Sequence, residues 1–231
     1  KEDPHFVEAK PSFIKALSQA DLYLQIGMEL EIGWAPVLLQ NARNGQVLPG
    51  AKGYMDTSTI IRPLEVPAGP VDRAMGDVHP LGNPHYLLDP LNGLRIAQFI
   101  NARLMGLRPE KKSFFEGRFD SFRKRLGHAL IGEKLANKYE FEKLTILFEQ
   151  EKLGSFLKEQ KEEALLGGWL GMVMPHSGAK AVADHNLWPY FARRFGISVI
   201  GFLEPKPGLS PTTRHLQALV ERMKSEGVKV I

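Results

Sequence analysis

Cysteine is absent from the 231 residues of the chain. Without a thiol the protein can form no disulfide bond, has no thiolate nucleophile, and cannot hold zinc or an iron–sulfur cluster through sulfur. A zinc site in this chain must therefore use nitrogen or oxygen ligands.

Long apolar runs and a strong charge of either sign are also missing. The longest uncharged stretch, residues 164–179, is interrupted by glycine, proline and histidine, and it falls short of the ~20 apolar residues that cross a bilayer. The 30 Lys and Arg residues exceed the 26 Asp and Glu residues by only four, a balance too mild to indicate a nucleic-acid partner. With 43% hydrophobic and 24% charged residues, the composition is that of a folded globular protein.

Several common catalytic signatures cannot be found in the sequence. The chain has no His-Glu-x-x-His, no Gly-x-Ser-x-Gly, no phosphate-binding loop and no dinucleotide-binding glycine pattern. These absences exclude the best-marked zinc proteases, serine hydrolases, nucleotide hydrolases and dehydrogenases.

The end of the chain alternates apolar runs with amphipathic segments. Residues 179–183, 197–203 and 228–231 have the length and composition of strands, whereas residues 187–195 and 211–224 have helical spacing of apolar residues. This β-α-β-α-β order predicts a parallel sheet with helices on its faces. Within it, the dipeptide Ser-Pro at 210–211 predicts the N-cap and first residue of the last helix.

The first third of the chain has the same character. Its apolar spacing predicts a helix over 11–19, a strand over 22–26 and a helix over 31–43. The glycine- and proline-rich residues 44–90 predict short strands and long loops.

A long helix is predicted between these two parts. From residue 109 to residue 130 apolar residues alternate by four and three, and such a helix would be ~33 Å long, the width of a small domain. We therefore expect an α/β fold of two lobes, each with a parallel-type sheet and flanking helices. The expected division is an N-terminal lobe over 1–108, a connecting helix over 109–130 and an incomplete C-terminal lobe over 131–231.

The sequence is expected to be a partial chain. It stops on a predicted parallel strand that no following helix covers, and a buried strand is a poor place for a natural terminus. Its first residues resemble the interior of a protein rather than a signal peptide. We expect segments to be missing at the C-terminus and at the N-terminus.

Two of the seven histidines occur in the same short pattern. Residues 3–6 are Asp-Pro-His-Phe and residues 83–86 are Asn-Pro-His-Tyr, so His5 and His85 each follow a proline that stiffens the loop. A histidine on a stiff loop is a good metal ligand, because little side-chain entropy remains to be lost on binding. The alternative is a turn whose histidine faces water.

The remaining histidines differ in context. His185 follows a predicted parallel strand, at the sheet edge where α/β proteins bind ligands, although it could instead cap the next helix. His79 lies in the loop that leads to His85, where we favour a plain loop residue over a local metal-capturing residue. His128 and His215 lie on predicted helices with polar neighbours and are expected to be solvated.

Three segments with a histidine each form an ordered set. Residues 3–12 contain Asp-Pro-His-Phe-Val-Glu followed by Lys-Pro-Ser, residues 82–90 are Gly-Asn-Pro-His-Tyr-Leu-Leu-Asp-Pro, and residues 184–196 join Asp-His to an aromatic helix. They resemble the three histidine motifs of the cluster A-I (zinc and manganese) substrate-binding proteins of ABC transporters. Residues 204–208 and 211–224 are similar to the second lobe of that family.

The resemblance implies a fold and a ligand set. Members of the family have two α/β lobes joined by one long helix, with the metal held in the cleft between the lobes. By this resemblance His5 and His85 are metal ligands from the first lobe and His185 is a metal ligand from the second. The family's fourth ligand is usually an Asp or Glu in a later region that is absent here, and Glu204 is a candidate substitute.

The resemblance also implies a function. It predicts a monomeric receptor, periplasmic or at the outer face of the cytoplasmic membrane, that is not an enzyme. The receptor would capture zinc, or manganese, as the transported ligand and deliver it to the membrane permease of an ABC importer. Three imidazoles suit zinc better than manganese, which favours oxygen ligands.

Two alternatives stay open on the sequence alone. A site of three histidines with an open fourth position is also that of a zinc-dependent hydrolase, for which Asp184 and Glu204 are the only candidate bases close in sequence to a ligand. The second alternative is an adhesin-like surface protein that uses the same fold for cell adhesion.

Overall fold

The computed structural model describes residues 4–5, 7–71, 78–205 and 210–231. Residues 3 and 6 of the first histidine motif, and residues 206–209 of the segment that resembles the second lobe, lie outside this part. The described residues form ten α-helices and four short strands. The helices are α1 (Pro11–Ser18), α2 (Ala35–Ala42), α3 (Pro90–Leu107), α4 (Lys112–Ile131), α5 (Glu133–Lys138), α6 (Phe141–Glu149), α7 (Leu153–Glu159), α8 (Gly168–Val173), α9 (Pro189–Phe195) and α10 (Thr213–Ser225). The strands are β1 (Tyr23–Gln25), β2 (Tyr54–Asp56), β3 (Lys180–Ala183) and β4 (Ser198–Phe202).

The first sheet consists of the two parallel strands β1 and β2, with Tyr23 opposite Tyr54. The helices α1 and α2 pack against each other beside it, and a small core forms from Tyr23, Ala35, Leu39 and Val47. The predicted first helix and first strand are thus confirmed to within two residues at each end.

The helix predicted over 31–43 begins four residues later, at Ala35. Residues 27–29 all have positive φ, at 85°, 53° and 66°. The chain therefore turns through the left-handed region shortly after β1. The buried Glu31 carboxylate closes this turn by accepting hydrogen bonds from the amide of Gly27 at 3.0 Å and from the preceding amide at 2.8 Å. Residues 30–34 continue as turns, closed by bonds of 3.2 Å from the Ile32 amide to the Glu29 carbonyl and from the Trp34 amide to the Glu31 carbonyl, and the regular helix starts only after them.

The second sheet pairs β3 with β4, again in parallel, with Lys180 opposite Ser198 and an irregularity after Ala181. Helix α9, which links β3 to β4, ends at Gly196, whose φ of 68° is the left-handed conformation that commonly terminates helices. This arrangement confirms the predicted parallel β-α-β unit.

Two predictions for the end of the chain are corrected. The N-cap of α10 is Thr212 rather than residue 210, because the Thr212 hydroxyl accepts a hydrogen bond from the His215 amide at 3.2 Å. Residues 228–231 form no regular strand in the described chain, although the Val182 amide donates to the Val230 carbonyl at 3.0 Å.

The long middle helix is confirmed in its continuity. Helix α4 is unbroken over 20 residues, and it begins three residues later than predicted because Pro109–Lys111 form a 3₁₀ turn. Among the described residues, α4 and the other helices are each too short or too polar to cross a membrane. The division at residues 108 and 130 stays a prediction.

The largest core of the molecule surrounds the second half of α4. Leu126, Leu130 and Ile131 of this helix pack with buried leucines of α5 to α8 and with Phe195 of α9. The same core includes Leu91 of α3, and α3 also lies along α4. Helices α5 to α8, which follow α4 in the sequence, are therefore folded onto it.

A buried ion pair joins α3 to α9. Asp89 is the N-cap of α3, where its carboxylate accepts a hydrogen bond from the Leu91 amide at 2.9 Å. The Arg194 guanidinium donates two further bonds to this carboxylate, each of 2.7 Å. The side chains are only 8% and 14% exposed, so Arg194 compensates a charge that water does not reach well.

We expect Arg194→Met to lower the free energy of unfolding by about 3 kcal/mol, because it leaves the Asp89 carboxylate buried without its counter-charge. The neighbouring Arg193, which is exposed, provides the matched control, and Arg193→Met should change stability by at most ~0.5 kcal/mol. Urea unfolding followed by circular dichroism measures both. Equal effects of the two substitutions would contradict the structural role assigned to the ion pair.

Candidate metal centre

His5 lies in a turn that is fixed to the start of α2. The Trp34 indole nitrogen donates a hydrogen bond of 2.8 Å to the carbonyl of Pro4, the residue before the histidine. The imidazole is half-buried, and its ring centre lies 5.8 Å from that of His85. The structure thus brings together the two histidines that share the proline pattern.

His85 is oriented by Asn83, two residues before it. The Asn83 side-chain oxygen accepts a hydrogen bond of 3.0 Å from the His85 amide and lies 2.9 Å from Nδ1 of the His85 ring. Because this oxygen can only accept, the proton of the neutral ring belongs on Nδ1, and Nε2 carries the lone pair that a metal ligand needs.

Tyr86, the residue after His85, holds this loop to the first sheet. Its ring is fully buried, and its hydroxyl donates to the Ile26 carbonyl and lies 2.7 Å from the Thr57 hydroxyl. Burial raises the pKa of the Tyr86 phenol, so the group stays protonated as a donor. The position of His85 is therefore set by a side chain on either side of it.

His185 comes directly after β3 and Asp184, at the carboxyl end of the strand as predicted. Its Nδ1 lies 3.2 Å from a carboxylate oxygen of Asp184, and a histidine that donates from Nδ1 presents Nε2 to a metal. Burial alone would raise the pKa of Asp184. Hydrogen bonds from the His185 amide and the Trp188 indole, with the nearby His185 ring, outweigh it and lower this pKa below its usual range.

The loops of His85 and His185 touch each other. The Asn83 side-chain amide donates to the Asn186 carbonyl at 2.9 Å and to the Glu65 carboxylate at 3.1 Å, and the Asn186 side chain donates to the same carboxylate at 2.7 Å. The Tyr190 hydroxyl adds a bond of 2.9 Å to the Asn83 carbonyl. Residues more than 100 positions apart are thus held side by side.

Glu204, the candidate substitute for a fourth ligand, also lies near this edge. Its amide donates to the Asp184 carbonyl at 2.7 Å, which extends the pairing of β3 with β4 into the loop of His185. The Glu204 side chain is half-buried.

The three predicted ligands do not yet form a closed site. Within the described residues, no group of three or more His, Asp, Glu or Cys side chains is arranged to hold a metal ion. A cavity of about 680 Å³ exists elsewhere, lined by side chains such as Arg95, Glu149 and Arg194 and by no histidine of the described chain.

The position of His79 beside a predicted ligand was not foreseen from the sequence. Its Nε2 lies 3.3 Å from Nε2 of His5, and the two ring centres are 5.3 Å apart. The residue favoured as a plain loop residue therefore stands beside a predicted ligand. The available signal was its position, six residues before His85 and followed by Pro80.

The two histidines expected to be solvated are not. His215 Nε2 lies 2.8 Å from the Phe202 carbonyl, so its ring ties α10 to β4. His128 Nε2 is buried and has no hydrogen-bond partner among the described residues. Helical periodicity did not reveal these contacts, because they depend on which element packs over the histidine face.

Comparison with known proteins places the chain. The model of a family described as "Zinc-uptake complex component A periplasmic", ZnuA, matches residues 1–151 and 172–231, which is most of the sequence. The chain belongs to this family. The resemblance seen in the three histidine motifs is thereby confirmed.

The curated proteins that the chain matches are distant relatives. The chain is 24% identical to the manganese ABC transporter substrate-binding lipoprotein PsaA of Streptococcus anginosus and 30% identical to the metal ABC transporter substrate-binding lipoprotein SsaB of Streptococcus sanguinis. Each match covers 98% of this chain and 60% of the relative. The chain thus spans about three fifths of the length of these relatives.

Solved structures of ZnuA share the fold. One matches with a TM-score of 0.63 at 24% identity and covers 98% of this chain and 67% of its own. A zinc-bound ZnuA deletion mutant matches with a TM-score of 0.61 at 25% identity, over 98% and 66%. The α/β fold with parallel sheets that was predicted from the sequence is therefore confirmed, and the described sheets have only two strands each.

We expect Asn83→Ala to destabilise the fold by about 2 kcal/mol, since the buried amide bonds to the loops of both histidines and its loss leaves partners unsatisfied. Asn41→Ala is the control, because that exposed side chain bonds only within its own helix, and it should cost ~0.5 kcal/mol or less. Thermal unfolding of both variants decides. An Asn83→Ala protein as stable as the parent would show that the contact between the loops contributes little.

Proposed function

We propose that this chain is the metal-binding part of an extracytoplasmic receptor that captures zinc, or manganese, for an ABC importer. The observation that carries the proposal is the meeting of the three histidine loops. The rings of His5 and His85 are 5.8 Å apart, and the loop of His85 is hydrogen-bonded to that of His185. We propose these three histidines as the ligands of one ion.

The chemistry of the loops supports this assignment. His85 and His185 each have an oxygen acceptor at Nδ1, which turns the same nitrogen, Nε2, toward a ligand. Histidines that bind zinc are commonly oriented in this way by a carbonyl or carboxylate. Neutral nitrogen donors suit zinc better than manganese, so we propose zinc as the ion that binds more tightly.

The relatives support the biological role. PsaA of S. anginosus is named a manganese transporter component, SsaB of S. sanguinis a metal transporter component, and both are lipoproteins. A ZnuA structure is described as zinc-bound. On this basis we propose that the receptor works in the periplasm or at the outer face of the cytoplasmic membrane, as a monomer that delivers its metal to a membrane permease.

We propose that capture of the ion rearranges the histidine side chains. Since no three ligands of the described chain are yet arranged around one point, the ion has to draw the imidazoles together. We propose that His5 and His85 come from an N-terminal lobe, residues 1–108, and His185 from a C-terminal lobe, residues 131–231. Helix α4 lies at the proposed connecting position between these lobes.

A hydrolase is not supported by membership in a family of binding proteins. We expect the zinc-loaded protein to release no product from generic ester or phosphate substrates beyond the rate of free zinc. Chromogenic assays measure this directly. Turnover that disappears in His185→Ala would instead establish an enzyme. The adhesin-like alternative stays a prediction.

We expect His5→Ala, His85→Ala and His185→Ala each to weaken zinc binding by about tenfold to a hundredfold or more. Removing the hydrogen-bond partner that orients a metal ligand typically weakens binding by that factor, and removing the ligand itself should weaken it at least as much. His176 is an exposed histidine outside the motifs, and His176→Ala should bind zinc like the parent. Competition with a chromophoric chelator gives the affinities, and native mass spectrometry gives the stoichiometry. Unchanged affinity in His185→Ala would refute a site shared between the two loops.

A further inference from the structure

The nitrogen atoms of His5 and His79 have an informative separation. Their Nε2 atoms are 3.3 Å apart, which exceeds the usual 2.7–3.2 Å of a protein hydrogen bond from nitrogen. Two nitrogen ligands at about 2.0–2.1 Å from one tetrahedral zinc ion stand about 3.3 to 3.4 Å from each other. The observed distance matches that of two ligands sharing an ion, although a long hydrogen bond would have the same length.

The ring positions agree with this geometry. Two imidazoles bound through Nε2 to one tetrahedral zinc have ring centres about 5.2 Å apart, since each centre lies ~1.2 Å beyond its nitrogen. The ring centres of His5 and His79 are 5.3 Å apart, and those of His5 and His85 are slightly farther apart, at 5.8 Å. For His85 to complete a three-nitrogen set, its ring would have to approach that of His5 by about 0.6 Å and also come within the same distance of His79.

We infer that His79 is a metal ligand, and that His5, His79 and His85 form a zinc-capturing site within the first half of the chain. This inference rests on the proposed function and deepens it. Neither the histidine patterns nor the resemblance assigns His79 to the site. The chemical class of the ligand is a divalent metal that accepts neutral nitrogen donors, for which zinc is the natural choice.

Such a site implies an order in which the ligands bind the ion. An ion would bind first to the three imidazoles of the first half and would gain His185 as its fourth ligand afterwards. The loss of His185 would then weaken zinc binding without abolishing it. A set of four nitrogen donors would also disfavour manganese, which prefers oxygen.

The experiment compares His79→Ala and His79→Gln with the control His176→Ala, each with zinc and with cobalt(II) as a spectroscopic probe. Glutamine can keep a polar contact with His5 but is a poor zinc ligand. If His79 binds the ion, both substitutions lower zinc affinity at least tenfold and change the visible spectrum of bound cobalt. Unfolding curves recorded without metal should match the parent, which separates ligation from a structural role.

Several outcomes would overturn the inference. Parent affinity and an unchanged cobalt spectrum in His79→Ala would leave His79 as a loop residue, and restoration of both by glutamine would make its contact with His5 a hydrogen bond. The proposed function would survive either result as long as His5→Ala, His85→Ala and His185→Ala still weaken binding. Conversely, loss of binding in His79→Ala but not in His185→Ala would support the local site and refute the shared one.

Discussion

The side-chain amide of Asn83 joins the parts of the molecule on which the candidate site depends. Its oxygen accepts from the backbone and ring of His85, and its nitrogen donates to the loop that follows His185. A buried amide has few ways to satisfy both its donor and acceptor groups, so it specifies one arrangement of the two loops. The proline between Asn83 and His85 limits the backbone further. The geometry of the His85 ring is thus inherited from the contact between loops more than 100 residues apart.

Much of the fold could be predicted because it is encoded locally. The spacing of apolar residues in α4 and α9 and the apolar runs of β3 and β4 each act within one element. Two errors arose where a local conformation competed with the pattern. The left-handed residues 27–29 delayed α2, and the Thr212 hydroxyl replaced the residue predicted to cap α10.

The candidate site was predictable only in part, for a similar reason. His5, His85 and His185 stand in patterns that can be read along the chain, since proline or a strand end fixes each of them. The proximity of His79 to His5 spans 74 positions, and the bond from His215 to β4 depends on how α10 packs. Tertiary contacts of this kind produce no periodic pattern in the sequence. A single histidine in a loop or on a helix does not indicate which residue it will contact.

Two contacts between distant parts of the chain differ in strength. Asp89 and Arg194 form a buried, bidentate ion pair, and separating them would leave a charge in a poorly hydrated place. Asn83 and Asn186 are joined by one hydrogen bond between neutral amide groups and by two bonds to the carboxylate of the exposed Glu65, all of which water can replace at lower cost. An opening motion would therefore separate the histidine loops before it separated α3 from α9. A metal ion that bridges His85 and His185 would reinforce the weaker of the two contacts. The binding energy of the metal would then stabilise the arrangement in which the two histidine loops are in contact.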